Sequence, residues 1–255
     1  MFRPRVMPCL LLSGKGLVKT IQFKDARYLG DPINAVRIFN EKESDELIFM
    51  DINASKENRT VDLDVVRQIG DECFMPFAVG GGIRTIESVR EIFKAGAEKV
   101  VLNTIAGENP DFIAKIADTF GSQSIIVSID VRRKMSGKYK AYILNGSKSI
   151  SIDPVEFAGL VQEKGAGEIL VNSIDRDGTG EGYDLDITAK IAAAVSIPVI
   201  ACGGAGKLED LKIIVKNSKV SAVAAGSMFV FHGERRAVLI NYPAQKELEK
   251  LLSLN

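Results

Sequence analysis

The chain has 255 residues, long for one ordinary domain and typical of an α/β barrel. Its 33 basic residues balance 33 acidic ones, so no global field draws it to nucleic acid or to a charged membrane. Apolar residues make up 46% and can build a large core, but no run of about 18 of them exists to form a transmembrane helix.

Short apolar runs alternate with amphipathic stretches throughout. Met1–Leu12 is basic and then apolar, like a signal peptide. Its apolar stretch is short and lacks a small-residue cleavage site, so Arg5–Leu12 is expected to be a buried strand. Ser13–Pro32 follows as a stretch of low regularity, expected to form a lid-like loop on the catalytic face. Strands are then predicted over Glu46–Ile52, Met75–Val79 and Lys99–Asn103, with helices over Ile86–Ala95 and Asn109–Phe120. Further strands are predicted at Ser124–Ile129, Glu168–Asn172, Pro198–Cys202 and Ala222–Ala225, with helices at Pro154–Lys164 and Leu208–Lys216. Pro110 and Pro154 suit first helical turns, and Gly165 suits a helix end. Arg132–Ser149 carries the hairpin signals Gly137-Lys138-Tyr139 and Asn145-Gly146. Eight strand–helix units predict one (β/α)8 (TIM) barrel domain over residues 1–255, built from half-barrels of about 1–123 and 124–255. A doubly wound open sheet is the alternative, and it would not explain matching glycine turns in the two halves.

Those turns are Val79-Gly80-Gly81-Gly82-Ile83 and Ala201-Cys202-Gly203-Gly204-Ala205-Gly206. At matching distances follow Val100–Thr104, ending in Asn103 and Thr104, and Val223–Ser227, ending in Gly226 and Ser227. Fixed-period self-similarity reads as one unit used twice. Barrel chemistry sits at the C-terminal ends of strands. Gly81, Gly82, Asn103 and Thr104 in one half, and Gly203, Gly204, Gly226 and Ser227 in the other, are therefore candidate phosphate cradles. Glycine lets backbone approach an anion, turn amides can point at its oxygens, and hydroxyls add donors. Tight strand–helix turns would look alike at either place alone; their recurrence favours a substrate with a phosphate at each end.

Carboxylates end other strands: Asp51 on strand two, Asp130 on strand five, and Asp175 and Asp177 on strand six. Each can act as a general acid or base if its surroundings tune it. Asp175 can instead pair structurally with Arg176 or Lys19. By the repeat, the mate of Asp130 is Leu11, a hydrocarbon that transfers no proton. Cys9, Cys73 and Cys202 are odd in number and widely spaced, which argues against a disulfide framework and for a reducing cytoplasm. His232 is the only histidine, so a histidine-based metal site or triad is not expected, and nothing signals a metal or organic cofactor.

Arg5-Val6-Met7-Pro8-Cys9-Leu10, Gly30-Asp31-Pro32, Asp45-Glu46-Leu47, Val79–Ile83, Phe120-Gly121-Ser122-Gln123, Ser173–Gly178 and Gly203–Gly206 run in order from about Arg3 to Phe231. Together they closely resemble HisF, the cyclase family of imidazole glycerol phosphate synthase. The isomerase family HisA shares the half-barrel duplication, but Arg5–Leu10 and Phe120–Gln123 are more similar to the cyclase. The resemblance implies a barrel that takes an elongated bisphosphate, with a glutaminase (HisH-like) subunit docked on its N-terminal face as a heterodimer. Ammonia then crosses the barrel, and the products are imidazole glycerol phosphate and an aminoimidazole carboxamide ribotide.

The resemblance also implies phosphate contacts at Gly82, Asn103 and Thr104 on one side, and at Asp177, Gly178, Gly204 and Gly226-Ser227 on the other. It implies a flexible-loop lysine at Lys19 and a charged ammonia gate at the barrel floor of Arg5, Glu46, Lys99 and Glu168. Those four charges can equally be a structural ion network, because unpaired charges there would be costly to desolvate. Of the family's two acid–base aspartates, Asp130 is kept and the strand-one position is Leu11. The loop Ser13–Thr20 also lacks the acidic residue often found near its turn. The tail Phe229–Tyr242, with His232-Gly233-Glu234-Arg235-Arg236, departs from the family pattern too. This combination resembles divergent HisF-like proteins found beside sugar amidotransferases in surface-polysaccharide pathways. Three expectations result. The first is a paralogue that passes ammonia from a glutaminase toward sugar amidation. The second is an authentic histidine-pathway cyclase in which Asp51 or Asp177 shares the proton work with Asp130. The third is a non-enzymatic phosphate-ligand scaffold.

Overall fold

The computed structural model describes residues 3–233 and 235–253. Glu234, within the divergent tail, lies outside the described residues, as do Met1, Phe2, Leu254 and Asn255. The barrel strands are Arg5–Ser13, Leu47–Asp51, Phe77–Gly80, Lys99–Leu102, Ile125–Arg133, Glu168–Ser173, Val199–Cys202 and Ala222–Ala225. Each pairs in parallel with the next, and Arg5–Pro8 register with Ala222–Ala225 to close the ring. The expected (β/α)8 barrel is the observed one.

Period-two alternation sorts each strand into two faces. On strand one, Met7 and Cys9 join an inner cluster with Ile48, Ala78, Val101, Ile126, Leu170 and Ile200. Val6, Leu10 and Leu12 join a larger outer cluster between barrel and helices. Burial on both faces makes such strands near-continuous apolar runs, which is why they stand out in the sequence. Helices start where side chains cap them. Asp31 accepts from the Ile33 N–H at 2.8 Å, Asp62 from Asp64 at 2.9 Å, Thr85 from Ser88 at 3.1 Å and Asp153 from Val155 at 2.8 Å. Each cap contributes roughly 1 kcal/mol. Short helices, Thr104–Glu108 and Ser227–Val230, follow strands four and eight, the corresponding places in the two halves.

Ser13–Pro32 corrects one expectation. It is no irregular loop: Gly16–Ile21 pairs antiparallel both with the end of strand one and with Lys24–Gly30, forming a hairpin over the mouth. Its turn uses Gln22 and Phe23 at φ 52° and 65°. That left-handed pair lacks the Asn-Gly chemistry by which such turns are read. The hairpin after strand five is where its signals place it. Tyr139–Ile143 folds back on Asp130–Arg133, with Asn145 and Gly146 at φ 52° and 71°.

The tail clips the first strand. The Tyr242 hydroxyl donates to the Val6 carbonyl at 2.9 Å, and its ring meets Phe39 edge-on at 6.4 Å. Arg3 pairs with Asp45 at 2.7 Å, and Asp45 also accepts from the Val6 N–H at 2.8 Å. The last helix, Gln245–Leu252, buries Leu248 and Leu252 in the outer cluster. Among the described residues no helix is long and apolar enough to cross a membrane.

Candidate functional site

The C-terminal ends of the strands open into a cavity of about 1070 Å³, counting its open mouth. Gly81, Gly82, Asn103 and Thr104 line one side, and Gly178, Gly203, Gly204 and Gly226 the other. The matched glycines do the same local work. Gly82 has φ +64° and a Cβ there would overlap the Arg59 carbonyl; Gly204 has φ +113° and a Cβ would overlap the Gly182 carbonyl. Each turn is also tied to a preceding loop, one residue out of step: the Gly81 carbonyl accepts from Val61 at 3.0 Å, and the Gly204 carbonyl accepts from Gly182 at 2.9 Å. Only glycine satisfies both the dihedral and the close approach. Asn103 is held rigidly, its amide donating to the Ser128 and Tyr142 carbonyls at 3.1 Å each. Thr104 accepts from the Leu144 N–H at 3.2 Å. Ser227 stands just outside the cavity lining, half-buried, 3.4 Å from an Arg236 guanidinium nitrogen.

The carboxylates fall into three settings. Asp130 is buried in the cavity wall and accepts from the Ser128 hydroxyl at 2.9 Å. Burial chiefly, with nearby Asp177, pushes its pKa up to about 7 against the opposing hydrogen bonds of Ser128 and Asn172. Leu11 lines the same cavity. Asp177 accepts from Lys19 at 2.8 and 3.1 Å and from the Thr20 hydroxyl at 3.2 Å. Asp51 is clasped by Arg59 at 2.6 Å and by the Asn53 and Ala54 N–H groups at 3.0 and 3.1 Å. Asp51 and Asp177 are thus each engaged by a cation and by further donors. Asp175 sits outside the cavity lining and pairs with neither Arg176 nor Lys19. It accepts from the Arg133 N–H at 2.8 Å and lies 3.6 Å from the Arg132 guanidinium. The strand-five hairpin brings those arginines to it, a contact that spacing alone does not reveal.

Lys19, 5% exposed, fastens the lid hairpin down through Asp177, and the Gln22 N–H adds a bond to the Asp177 carbonyl at 2.8 Å. Two residues escaped the sequence reading. Arg59 neutralises Asp51 from the loop before a helix, where no motif marks it. Asn172 is 4% exposed beside Asp130, with its Oδ1 unpartnered among the described residues. Its signal was available: Glu168, Leu170 and Asn172 alternate, so all three face inward.

At the barrel floor, Arg5 pairs with both Glu46 and Glu168, and Lys99 pairs with the same two carboxylates at 2.8 and 2.7 Å. Burial raises the Glu168 carboxyl, but Arg5 and Lys99 outweigh it and hold it below its ordinary value. The four residues form a closed ring of alternating charge beneath the inner apolar cluster.

The architecture defines a (β/α)8 barrel with duplicated glycine turns at its mouth. The profile of the family described as histidine biosynthesis protein matches residues 5–235. The chain belongs to that family and is a homologue of HisF subunits of imidazole glycerol phosphate synthase. It is 51% identical to a Pseudomonas aeruginosa protein provisionally named imidazole glycerol phosphate synthase subunit hisF2, over 98% of this chain and 99% of that one. It is 47% identical to a Vibrio vulnificus protein provisionally named subunit hisF3, over 100% and 98%. It is 43% identical to imidazole glycerol phosphate synthase subunit HisF of Alkaliphilus metalliredigens, over 91% and 92%.

Proposed function

We propose that this HisF-type barrel receives ammonia from a glutaminase partner at its floor and serves sugar amidation, as a paralogue of the histidine-pathway cyclase. The observation that carries the reading is Leu11 in the cavity that holds Asp130. Of the two positions that would carry acid–base chemistry only Asp130 keeps a carboxyl, and the other cavity carboxylates, Asp51 and Asp177, are each engaged by a cation. Losing one proton-transfer group lowers a rate ~10²–10⁴-fold, roughly 3–5 kcal/mol of barrier. The retained ring of Arg5, Glu46, Lys99 and Glu168 supports the ammonia role, because a neutral molecule crosses such a ring without the desolvation an ion would suffer. The paired glycine turns suit a ligand with phosphate at both ends. The 51% and 47% relatives carry the numbered names hisF2 and hisF3, while relatives with the unnumbered name HisF stand at 46% and 43%.

One observation favours a second reading. A buried Asp130 near pKa 7 is half-protonated at neutrality, so a single group can donate and accept in turn. On that reading the chain is the cyclase itself, joining ammonia to the ribulosyl-formimino aminoimidazole carboxamide bisphosphate. The test supplies the full chain with that bisphosphate and ammonium salt at high pH and follows imidazole product. Turnover ~100-fold or more below an ordinary cyclase is expected; turnover near it overturns the paralogue reading. Mixing with a HisH-type glutaminase is expected to raise glutamine hydrolysis, and absence of binding removes the ammonia-handling role.

A further inference from the structure

The tail hairpin carries positive charge to the rim of the cavity. Phe231–His232 pairs with Ala237–Val238, and the connecting turn sets Arg236 at φ 50°, its N–H donating to the Gly233 carbonyl at 3.0 Å. The guanidinium reaches back over the mouth. Nη1 donates to the Gly178 carbonyl at 2.9 Å, and Nη2 lies 3.4 Å from the Ser227 hydroxyl. Gly178 follows strand six and Ser227 follows strand eight, so Arg236 bridges the two turns that flank Gly204 after strand seven.

A second arginine joins it. Arg27, on the lid hairpin, stands over the Phe231 ring at 5.4 Å, while Arg236 stands over the same ring at 4.6 Å. Arg27 also donates to the Arg236 carbonyl at 3.2 Å. The polar partners of both guanidiniums are backbone and hydroxyl oxygens, with no carboxylate among the described residues. Two cations gathered on one ring repel each other, and an anion placed beside them relieves that repulsion. The other side of the cavity differs. There Arg84 lines the wall, but Glu108 already matches it at 2.9 Å.

We propose that Arg236 is the side-chain cation of an anion site at the ends of strands six to eight, where it grips a phosphate monoester together with Ser227, Gly178 and Gly204. Guanidinium is suited to this: it stays charged, and its remaining N–H donors match phosphate oxygens. This end of the ligand then binds more tightly than the end at Gly82, Asn103 and Thr104. Through Phe231 and Arg27 the bound anion also steadies the hairpin that carries Lys19. The inference rests on the reading of the glycine turns as phosphate cradles.

The test soaks crystals of the full chain, Arg236→Met and Arg236→Lys in graded inorganic phosphate and refines occupancy at both cradles, with calorimetric titration in solution alongside. In the unaltered chain both cradles fill, the strand-six-to-eight one at lower concentration. Arg236→Met is expected to raise its half-filling concentration ~10-fold, the scale of one charge-assisted hydrogen bond. Arg236→Lys recovers part of the loss. The opposite cradle fills unchanged in all three, which shows that the variants are folded. Equal filling in Arg236→Met, or loss of the same size in Arg236→Lys, overturns the role of Arg236 and leaves the cradles standing. Cradles empty in the unaltered chain overturn the phosphate reading and this inference with it.

Discussion

Asp130→Asn isolates the electrostatic tension at the mouth. In the folded chain burial raises this carboxyl from its ordinary 3.8 to about 7. Between those values the unfolded chain is ionised at this position while the folded chain stays protonated. The folded state therefore binds more protons, and stability falls as pH rises from about 4 to about 7. At ~1.4 kcal/mol per pH unit, that interval amounts to ~4 kcal/mol lost by about pH 8, and none lost below about pH 3. Asparagine keeps the shape and still accepts from the Ser128 hydroxyl, but it carries no charge. The variant is thus expected to match the unaltered chain near pH 4 and to exceed it by several kcal/mol near pH 8 in equilibrium urea unfolding. A ¹³C titration of the Asp130 carboxyl reads the same quantity directly. A stability difference that does not change with pH, or a carboxyl titrating near 4, refutes the reasoning.

Leu11→Asp places a carboxyl in the cavity wall that Asp130 shares. Imidazole product in the ammonium assay is expected to rise ~10-fold or more, and no gain means that the pocket has lost more than this group. Lys99→Met leaves Glu46 and Glu168 to Arg5 alone in the floor ring. A loss of ~3 kcal/mol is expected in urea unfolding, and an unchanged midpoint and slope would show that the ring is not energetically coupled. Gly82→Ala forces a Cβ against the Arg59 carbonyl at φ +64°. A loss of ~3 kcal/mol or more is expected together with phosphate binding on that side, whereas full retention of both would mean that the turn relaxes freely.

The barrel was legible because parallel strands buried on both faces leave unbroken apolar runs, as in Leu47–Met50 or Ala222–Ala225. The matching glycines were legible because their backbone tolerates nothing else at φ values such as +64° and +113°. Lys19 and Asp177 were singled out separately, but their direct contact spans most of the chain and nothing local encodes it. The lid hairpin was missed because the left-handed turn falls on Gln22-Phe23, residues without turn chemistry. Asp175 is held by an arginine, but not by Arg176 or by Lys19: its partners, Arg132 and the Arg133 N–H, arrive only when strand five runs on past Asp130 into its hairpin. Asn172 sat in plain alternation with Glu168 and went unread because an inward amide belongs to no motif.

Closing a barrel sets the order in which it can form. Neighbouring strands meet through local units, but Arg5–Pro8 against Ala222–Ala225 joins segments separated by nearly the whole chain. Such a pairing is slow, since the entropy of a long loop is surrendered before any contact rewards it. The Tyr242 hydroxyl on the Val6 carbonyl sits directly behind that seam, with the Phe39 ring as its backstop. A latch behind the seam that closes once the two strands have paired adds its bond to the finished barrel. It therefore works mainly by delaying reopening, and it sets how long a finished molecule lasts more than how fast one is made.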